Sequence, residues 1–144
     1  MFAITGNIQS NDQQYNPDML DMLSWVQVAA SSDVFEYAPH SNLLHAPVEG
    51  RSGFIRVPIE EARDDLIRSQ KRLDHSRLFA YPLGQYNAQI VDMLHKNGVD
   101  LAFTNNKGYV NQNSNPLLLN RVTVYSNFDL SIFESIVTGR YRYR

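Results

Sequence analysis

The sequence predicts an α/β domain with a mainly parallel sheet. Short apolar runs rich in β-branched and aromatic residues alternate with longer stretches that carry apolar residues at helical spacing. Read in order, the pattern is strand, helix, strand, helix, strand, helix, strand, loop, strand, helix. Strands that alternate with helices pair in parallel through right-handed crossovers. The length of 144 residues suits a single domain, 1–144, with one core.

The composition is that of an ordinary globular protein, with 43% apolar and 19% charged residues. A net charge of -2 gives no reason to expect nucleic acid or an anionic membrane surface as a partner. Because cysteine is absent, disulfides and thiolate zinc sites are excluded, and a metal would need His and carboxylate ligands. No apolar stretch is long enough to span a bilayer, and no signal peptide is visible.

The first part of the chain predicts two strands separated by a helix. The first strand covers 2–5. A helix then runs to about residue 30, with Asn16 as its N-cap and Pro17 at its first helical position. The second strand covers 34–38 and stops at a proline, which cannot donate to a ladder. A loop over 39–57 follows, and its length is typical of functional or mobile loops.

A helix that begins at Pro58 has the clearest pattern. Glu60 and Glu61 occupy its first turn, where the helix dipole favours them. Its apolar residues follow helical spacing towards a core and are Ile59, Ala62, Leu66, Ile67 and Leu73. The acidic residues of this helix, including Asp64 and Asp65, are expected to face solvent, so that they form no acid–base pair.

The second part of the chain predicts three more strands and two more helices. The strands cover 77–81, 99–104 and 117–125, and the helices cover 85–96 and 130–137. A loop over 105–116 precedes the last strand. Asp100 is expected to mark a strand entry, and His75 and His95 are expected to lie on the surface.

Two histidines directly follow the second predicted strand. Ligands of α/β sheets bind beyond the C-terminal ends of strands, where His40 and His45 would lie. Two imidazoles can bind one zinc ion when a third ligand arrives from elsewhere. The spacing alone leaves a solvated pair as the alternative. Residues 82–84 and 105–106 fall on the same edge of the predicted sheet and favour a site there.

Four motifs, in this order and spacing, resemble those of NodB-type polysaccharide deacetylases, the family-four carbohydrate esterases. Residues 40–45, His-Ser-Asn-Leu-Leu-His, are similar to the family's His-Ser/Thr-x-x-Leu-His. Residues 79–87, Phe-Ala-Tyr-Pro-Leu-Gly-Gln-Tyr-Asn, resemble its Ala-Tyr-Pro-Tyr-Gly-x-x-Asn. Residues 98–104 and 119–124 supply the third and fourth motifs. The likeness is nearest to the deacetylases of poly-N-acetylglucosamine adhesins.

The resemblance implies an incomplete (β/α) barrel and the hydrolysis of acetamide groups on an N-acetylated polysaccharide, outside the cell or at its envelope. It implies that His40 and His45 bind Zn²⁺ or another divalent ion together with an Asp. The backbone N–H of Leu83 would hold the tetrahedral oxyanion. Tyr81, Pro82 and Leu83 would line the sugar groove, although the residues alone leave Tyr81 equally open to a place in the core.

Two departures from the family pattern change the expectation. The family's Thr-Phe-Asp-Asp-Gly strand, which supplies the base and the metal-binding Asp, has no match, and neither has its late Leu-x-His. Leu83 also replaces the usual Tyr. We therefore expect the C-terminal portion of a deacetylase, inactive alone. The alternatives are a carbohydrate-binding or structural remnant, and a half-barrel that pairs with a copy through the exposed edge at 2–5.

Overall fold

The computed structural model describes residues 1–14 and 21–142. Two short 3₁₀ turns cover Thr5–Asn7 and Pro82–Gly84. The strands are β1 (Phe2–Ala3), β2 (Ala38–Pro39), β3 (Pro47–Val48), β4 (Arg51–Ser52), β5 (Leu78–Ala80), β6 (Leu101–Lys107) and β7 (Leu119–Arg121). The helices are α1 (Trp25–Ala30), α2 (Gly53–Arg56), α3 (Ile59–Arg72), α4 (Ala88–Lys96) and α5 (Leu130–Val137).

Parallel pairing dominates the sheets, which confirms the predicted α/β class. β1 pairs in parallel with β2, and β5, β6 and β7 form a second parallel sheet in that order. The β3–β4 hairpin is antiparallel. β2 lies beside β5, so the β1–β2 pair is next to the β5–β6–β7 sheet. The described strands form no closed barrel.

The second strand differs from its prediction. Its ladder covers Ala38–Pro39 rather than 34–38. The N–H of Ala38 donates to Met1 O at 2.8 Å and the N–H of His40 donates to Ala3 O at 2.9 Å. The nitrogen of Pro39 therefore points away from β1, where a ladder needs no donor, and proline fits within the strand.

The first helix begins later than predicted. Asn16 and Pro17 lie outside the described residues, and 21–23 are not helical. Ser24 is the N-cap of α1: its hydroxyl accepts from Gln27 N at 3.0 Å, and the Gln27 side chain accepts from Ser24 N at 3.0 Å. This capping box sets the start of the helix.

The segment 39–57 was predicted as a loop, but it contains the β3–β4 hairpin and the single-turn helix α2. Gln85 ties this hairpin to the Pro82–Gly84 turn. Its Oε1 accepts from Ser52 N at 2.9 Å, and its Nε2 donates to Gly50 O at 2.9 Å. The hairpin is therefore fixed beside the end of β5.

The remaining elements follow the predictions more closely. α5 matches its predicted range, and α3 begins one residue after the predicted start at Pro58, with Glu60 and Glu61 in its first turn. α4 begins after the N-cap Asn87, three residues later than predicted. β6 extends through Lys107 into the predicted loop, and β7 ends at Arg121 instead of continuing to residue 125. Helices α3 and α4 enclose a core with the inner faces of β5 and β6, whose largest buried side chains are Tyr81, Phe54, Phe79, Leu66 and Leu94.

Candidate functional site

The two predicted metal ligands lie side by side. The ring centroids of His40 and His45 are 4.8 Å apart, with the ring planes at 58°. His40 follows the last residue of β2, and both side chains are half-buried. The pair therefore lies where the C-terminal ends of the parallel strands meet, as the sequence predicted. Metal binding by the pair stays a prediction.

A hydrogen bond fixes the ring of His40. Its Nδ1 lies 2.8 Å from Ala80 O, at the end of β5. Because a carbonyl oxygen only accepts, Nδ1 carries the proton and Nε2 of the neutral ring keeps its lone pair. Burial lowers the pKa of His40, the hydrogen bond opposes this, and repulsion from His45 and Arg121 adds to the lowering. The lowered pKa favours the neutral ring, and an imidazole nitrogen must be unprotonated to bind a metal ion.

A strained turn joins the two histidines. Ser41 has a φ of 72°, which is uncommon for a residue other than glycine, and its buried Oγ has no hydrogen-bond partner among the described residues. Asp65, only 7% exposed, accepts hydrogen bonds from the backbone of this turn. The expectation that Asp65 faces solvent is therefore wrong, although that for Asp64 holds.

The Pro82–Gly84 turn lies near the histidines because it begins two residues after Ala80, whose carbonyl oxygen holds the ring of His40. Leu83 has a φ of 56° and ψ of 13°, and no described residue accepts a hydrogen bond from its N–H. Gly84 has a φ of +69°, and a Cβ there would lie 2.5 Å from the Asn105 side chain. The turn thus presents a free N–H donor near the pair and needs glycine at its last position.

The side chains before Leu83 lie in the core. Tyr81 is 0% exposed, and its hydroxyl donates to Leu117 O at 2.8 Å. Burial raises the pKa of Tyr81, and the nearby Tyr86 adds to this. Pro82 is also fully buried. Of the two positions that the residues left open for Tyr81, this structure has the core one, and sugar contact by Tyr81, Pro82 and half-buried Leu83 stays a prediction.

An arginine to which the sequence patterns gave no role lies at the same edge of the sheet, where the strands end. Arg121, the last residue of β7, donates from Nε to Thr104 O at 2.8 Å and from its guanidinium to the Asn105 side chain. Its positive charge is the smallest of the effects that lower the pKa of His40, after burial and the charge of His45. The signal for Arg121 was its place at the C-terminal end of a strand, in the fourth motif.

No third His, Cys, Asp or Glu joins His40 and His45 within residues 1–14 and 21–142. Asp21 lines, with His40, a cavity of about 270 Å³ along β1. Asp100 pairs with Arg77 at 2.6 Å, at the starts of β5 and β6, as expected of a strand-entry residue. His75 and His95 are exposed.

Comparison with known proteins gives matches at the level of structure. No family model and no curated protein match the sequence. The structure of IcaB from Ammonifex degensii matches with a TM-score of 0.68 at 24% identity, over 88% of this chain and 56% of that one. A de-N-acetylase from Aggregatibacter actinomycetemcomitans matches with a TM-score of 0.66 at 18% identity, over 93% of this chain and 63% of that one. The chain has the NodB-type polysaccharide deacetylase fold.

The deacetylase PplD from Streptococcus pyogenes, solved with acetate, also matches, with a TM-score of 0.68 at 19% identity over 84% of this chain and 52% of that one. The chain thus spans between half and two thirds of the length of these structures. On this deacetylase fold the paired histidines, the Leu83 turn and Arg121 lie at the C-terminal ends of β2, β5 and β7. No helix among the described residues is long and apolar enough to cross a membrane.

Proposed function

We propose that this chain is part of a metal-dependent polysaccharide N-deacetylase, acting outside the cell or at its envelope. Its substrate would be a polymer of the N-acetylglucosamine type, and its reaction the hydrolysis of acetamide groups. One observation carries the proposal: the rings of His40 and His45 lie 4.8 Å apart at the strand ends of a fold shared with solved polysaccharide deacetylases.

The donor set fits a borderline divalent ion. The hydrogen bond from Nδ1 of His40 to Ala80 O leaves Nε2 free to bind zinc, and such bonds also orient ligand rings. His45 would supply the second nitrogen. A Zn²⁺ ion held there would polarise the acetamide carbonyl and acidify a water molecule.

The Leu83 N–H is the candidate oxyanion donor. It lies in the turn that follows β5, it has no described acceptor, and the core packing of Tyr81 and Pro82 holds that turn rigid. A fixed donor of this kind typically accelerates acyl transfer ~10²–10³-fold, because it meets the developing charge without reorganising.

The carboxylates needed for a third ligand and a base are proposed to come from a strand beside β1. The ladder with β2 uses one edge of β1, and on its other edge the amides of Phe2 and Ile4 pair with no described strand. A strand added there in parallel would end at the same edge of the sheet as His40, with β1 between them. A missing base costs ~10²–10⁴-fold, so residues 1–144 by themselves are proposed to be inactive.

A second candidate is a carbohydrate-binding or structural remnant without catalysis. It is favoured by the lack of a third ligand beside His40 and His45 in the described part of the chain. In that case the outer edge of β1 would be covered by a second copy of the chain. A dimer in light scattering would support this assembly, and a monodisperse monomer would count against it.

Acetate release from N-acetylglucosamine oligomers, with and without Zn²⁺, tests the catalytic proposal. We expect none from residues 1–144, and zinc-dependent release from a chain extended at its N-terminus by the first strand of a related deacetylase. His40→Ala in the extended chain should abolish release, and His95→Ala, on the exposed face of α4, should retain it.

Two results would change the assignment. An extended chain that folds, binds oligomers and releases no acetate would favour the remnant. Zinc-dependent release from residues 1–144 alone would instead show that a carboxylate within the chain acts as base. Loss of that release in Asp21→Asn would then identify the carboxylate that lines the His40 cavity.

A further inference from the structure

A buried carboxylate on α3 holds the turn between the two histidines. Oδ1 of Asp65 accepts from Asn42 N at 2.7 Å, and Oδ2 accepts from Leu43 N at 2.8 Å. Both oxygens are therefore committed to consecutive N–H groups of the segment that connects His40 to His45. Hydrogen bonds to an ionised acceptor are stronger than neutral ones. No ion pair to Asp65 occurs among the described residues, so these backbone donors are its compensation.

The turn needs such support because its backbone is strained. Ser41 is held at a φ of 72°, a conformation that persists only when its surroundings determine it. On the other side of the turn, Gly6 N donates to Asn42 O at 2.8 Å, and the Thr5 hydroxyl donates to the Asn42 side chain at 3.1 Å. The turn is thus fixed between the end of β1 and Asp65.

We infer that Asp65 is a positioning residue for the His40 and His45 pair: it fixes the connecting turn so that both rings face one metal ion. This inference rests on the proposed function. The inference extends the proposed function, because it assigns the geometry of the histidine pair to a carboxylate that binds neither metal nor substrate. Groups that orient metal ligands typically change metal affinity 10–100-fold when removed.

The test is a Zn²⁺ titration of the full chain followed by the ring signals of its four histidines in NMR spectra. In wild type, the signals of His40 and His45 should shift together at one dissociation constant, and those of exposed His75 and His95 should not. Asp65→Asn keeps the shape, but its amide group turns an N–H₂ towards one of the two backbone donors. We expect zinc affinity 10–100-fold weaker in this variant.

Asp64→Asn is the matched control, because Asp64 is the exposed neighbour on the same helix and, within the described part of the chain, forms its ion pair with Arg63. It should bind zinc as wild type does. A purely structural role for Asp65 would lower the urea midpoint and leave the zinc affinity of the folded protein unchanged, and that result overturns the inference. Wild type that binds no zinc overturns the proposed metal site and the inference with it.

A measurement on wild type keeps the inference testable if Asp65→Asn does not fold. Because coupling between two sites is reciprocal, zinc bound by the pair should tighten the bonds to Asp65. Hydrogen exchange at the amides of Asn42 and Leu43 should therefore slow when zinc is added. Zinc binding that leaves both exchange rates unchanged contradicts the role assigned to Asp65.

Discussion

Replacing Tyr81 by phenylalanine tests whether this residue belongs to the core or to the sugar groove. The side chain is 0% exposed, and its ring lies against Phe79 and Tyr86, with centroids at 5.7 and 5.2 Å. Its hydroxyl donates to Leu117 O at 2.8 Å. Phenylalanine keeps the ring contacts and removes only this hydrogen bond.

The expected cost follows from what the hydroxyl leaves behind. The carbonyl of Leu117 loses a buried donor, and an unsatisfied buried group costs about 1–3 kcal/mol. With a urea m-value of about 2 kcal/mol/M, the middle of the range for small proteins, the unfolding midpoint of Tyr81→Phe should fall by about 0.5–1.5 M at unchanged m. Urea unfolding followed by circular dichroism measures this shift.

Tyr86→Phe is the matched control. Tyr86 packs against the ring of Tyr81 but is 37% exposed, and the hydrogen bond that its hydroxyl accepts from the Asn106 side chain is long, at 3.4 Å. Its removal should change stability by no more than about 0.5 kcal/mol, as is usual for surface substitutions. Equal midpoints for the two variants would refute the reasoning and indicate that the Tyr81 hydroxyl lies in a solvated groove.

Three further predictions concern the elements around the site. Gly84→Ala should destabilise the fold by about 1–3 kcal/mol in urea unfolding, more than Gly50→Ala does. Both glycines have a positive φ, but only at Gly84 would a Cβ meet the Asn105 side chain, so equal losses of stability would contradict the steric reason. Gln85→Ala should speed hydrogen exchange and proteolysis in the β3–β4 hairpin, since both bonds between Gln85 and the hairpin are lost. Unchanged exchange would show that the hairpin is held by its other contacts, such as the bond from Arg56 to Val48 O. The raised pKa of Tyr81 should keep its phenol protonated above pH ~10, where the free side chain ionises, so that its contribution to the unfolding free energy persists below that pH and is lost as pH rises further. An ultraviolet titration that finds no tyrosine still protonated well above pH ~10 would contradict this.

The sequence predicted elements well where the determinants are local. α5 was predicted over its observed range because Asp129 caps it and a glycine follows it. β2 was misplaced because its position depends on hydrogen bonds to β1, about 35 residues earlier in the chain. The apolar residue Val34, which suggested the strand, is 72% exposed. Hydrophobicity alone does not distinguish a buried strand from an exposed approach to one.

The site was predicted in the same uneven way. His40 and His45 could be found because a strand end and their residue type are both visible in the sequence. The role of Asp65 was missed because a charged side chain is usually exposed to solvent. Its spacing indicates a buried position, since it lies three residues after buried Ala62 and four before buried Ser69, on the core face of α3. A charged residue in register with a buried face predicts a backbone or ionic partner.

The orientation of the candidate ligands could not be predicted from the sequence, because residues distant in the chain set it. The ring of His40 is turned by a carbonyl 40 residues away, and the turn that follows is fixed by a carboxylate about 22 residues away. Neither partner belongs to the histidine motif. A pattern of residue types can therefore identify two candidate zinc ligands, but whether they could share one ion depends on α3 and β5 being packed in place. This is why substitution at Asp65, which touches neither ring, is the sharper test of the site than substitution of either histidine.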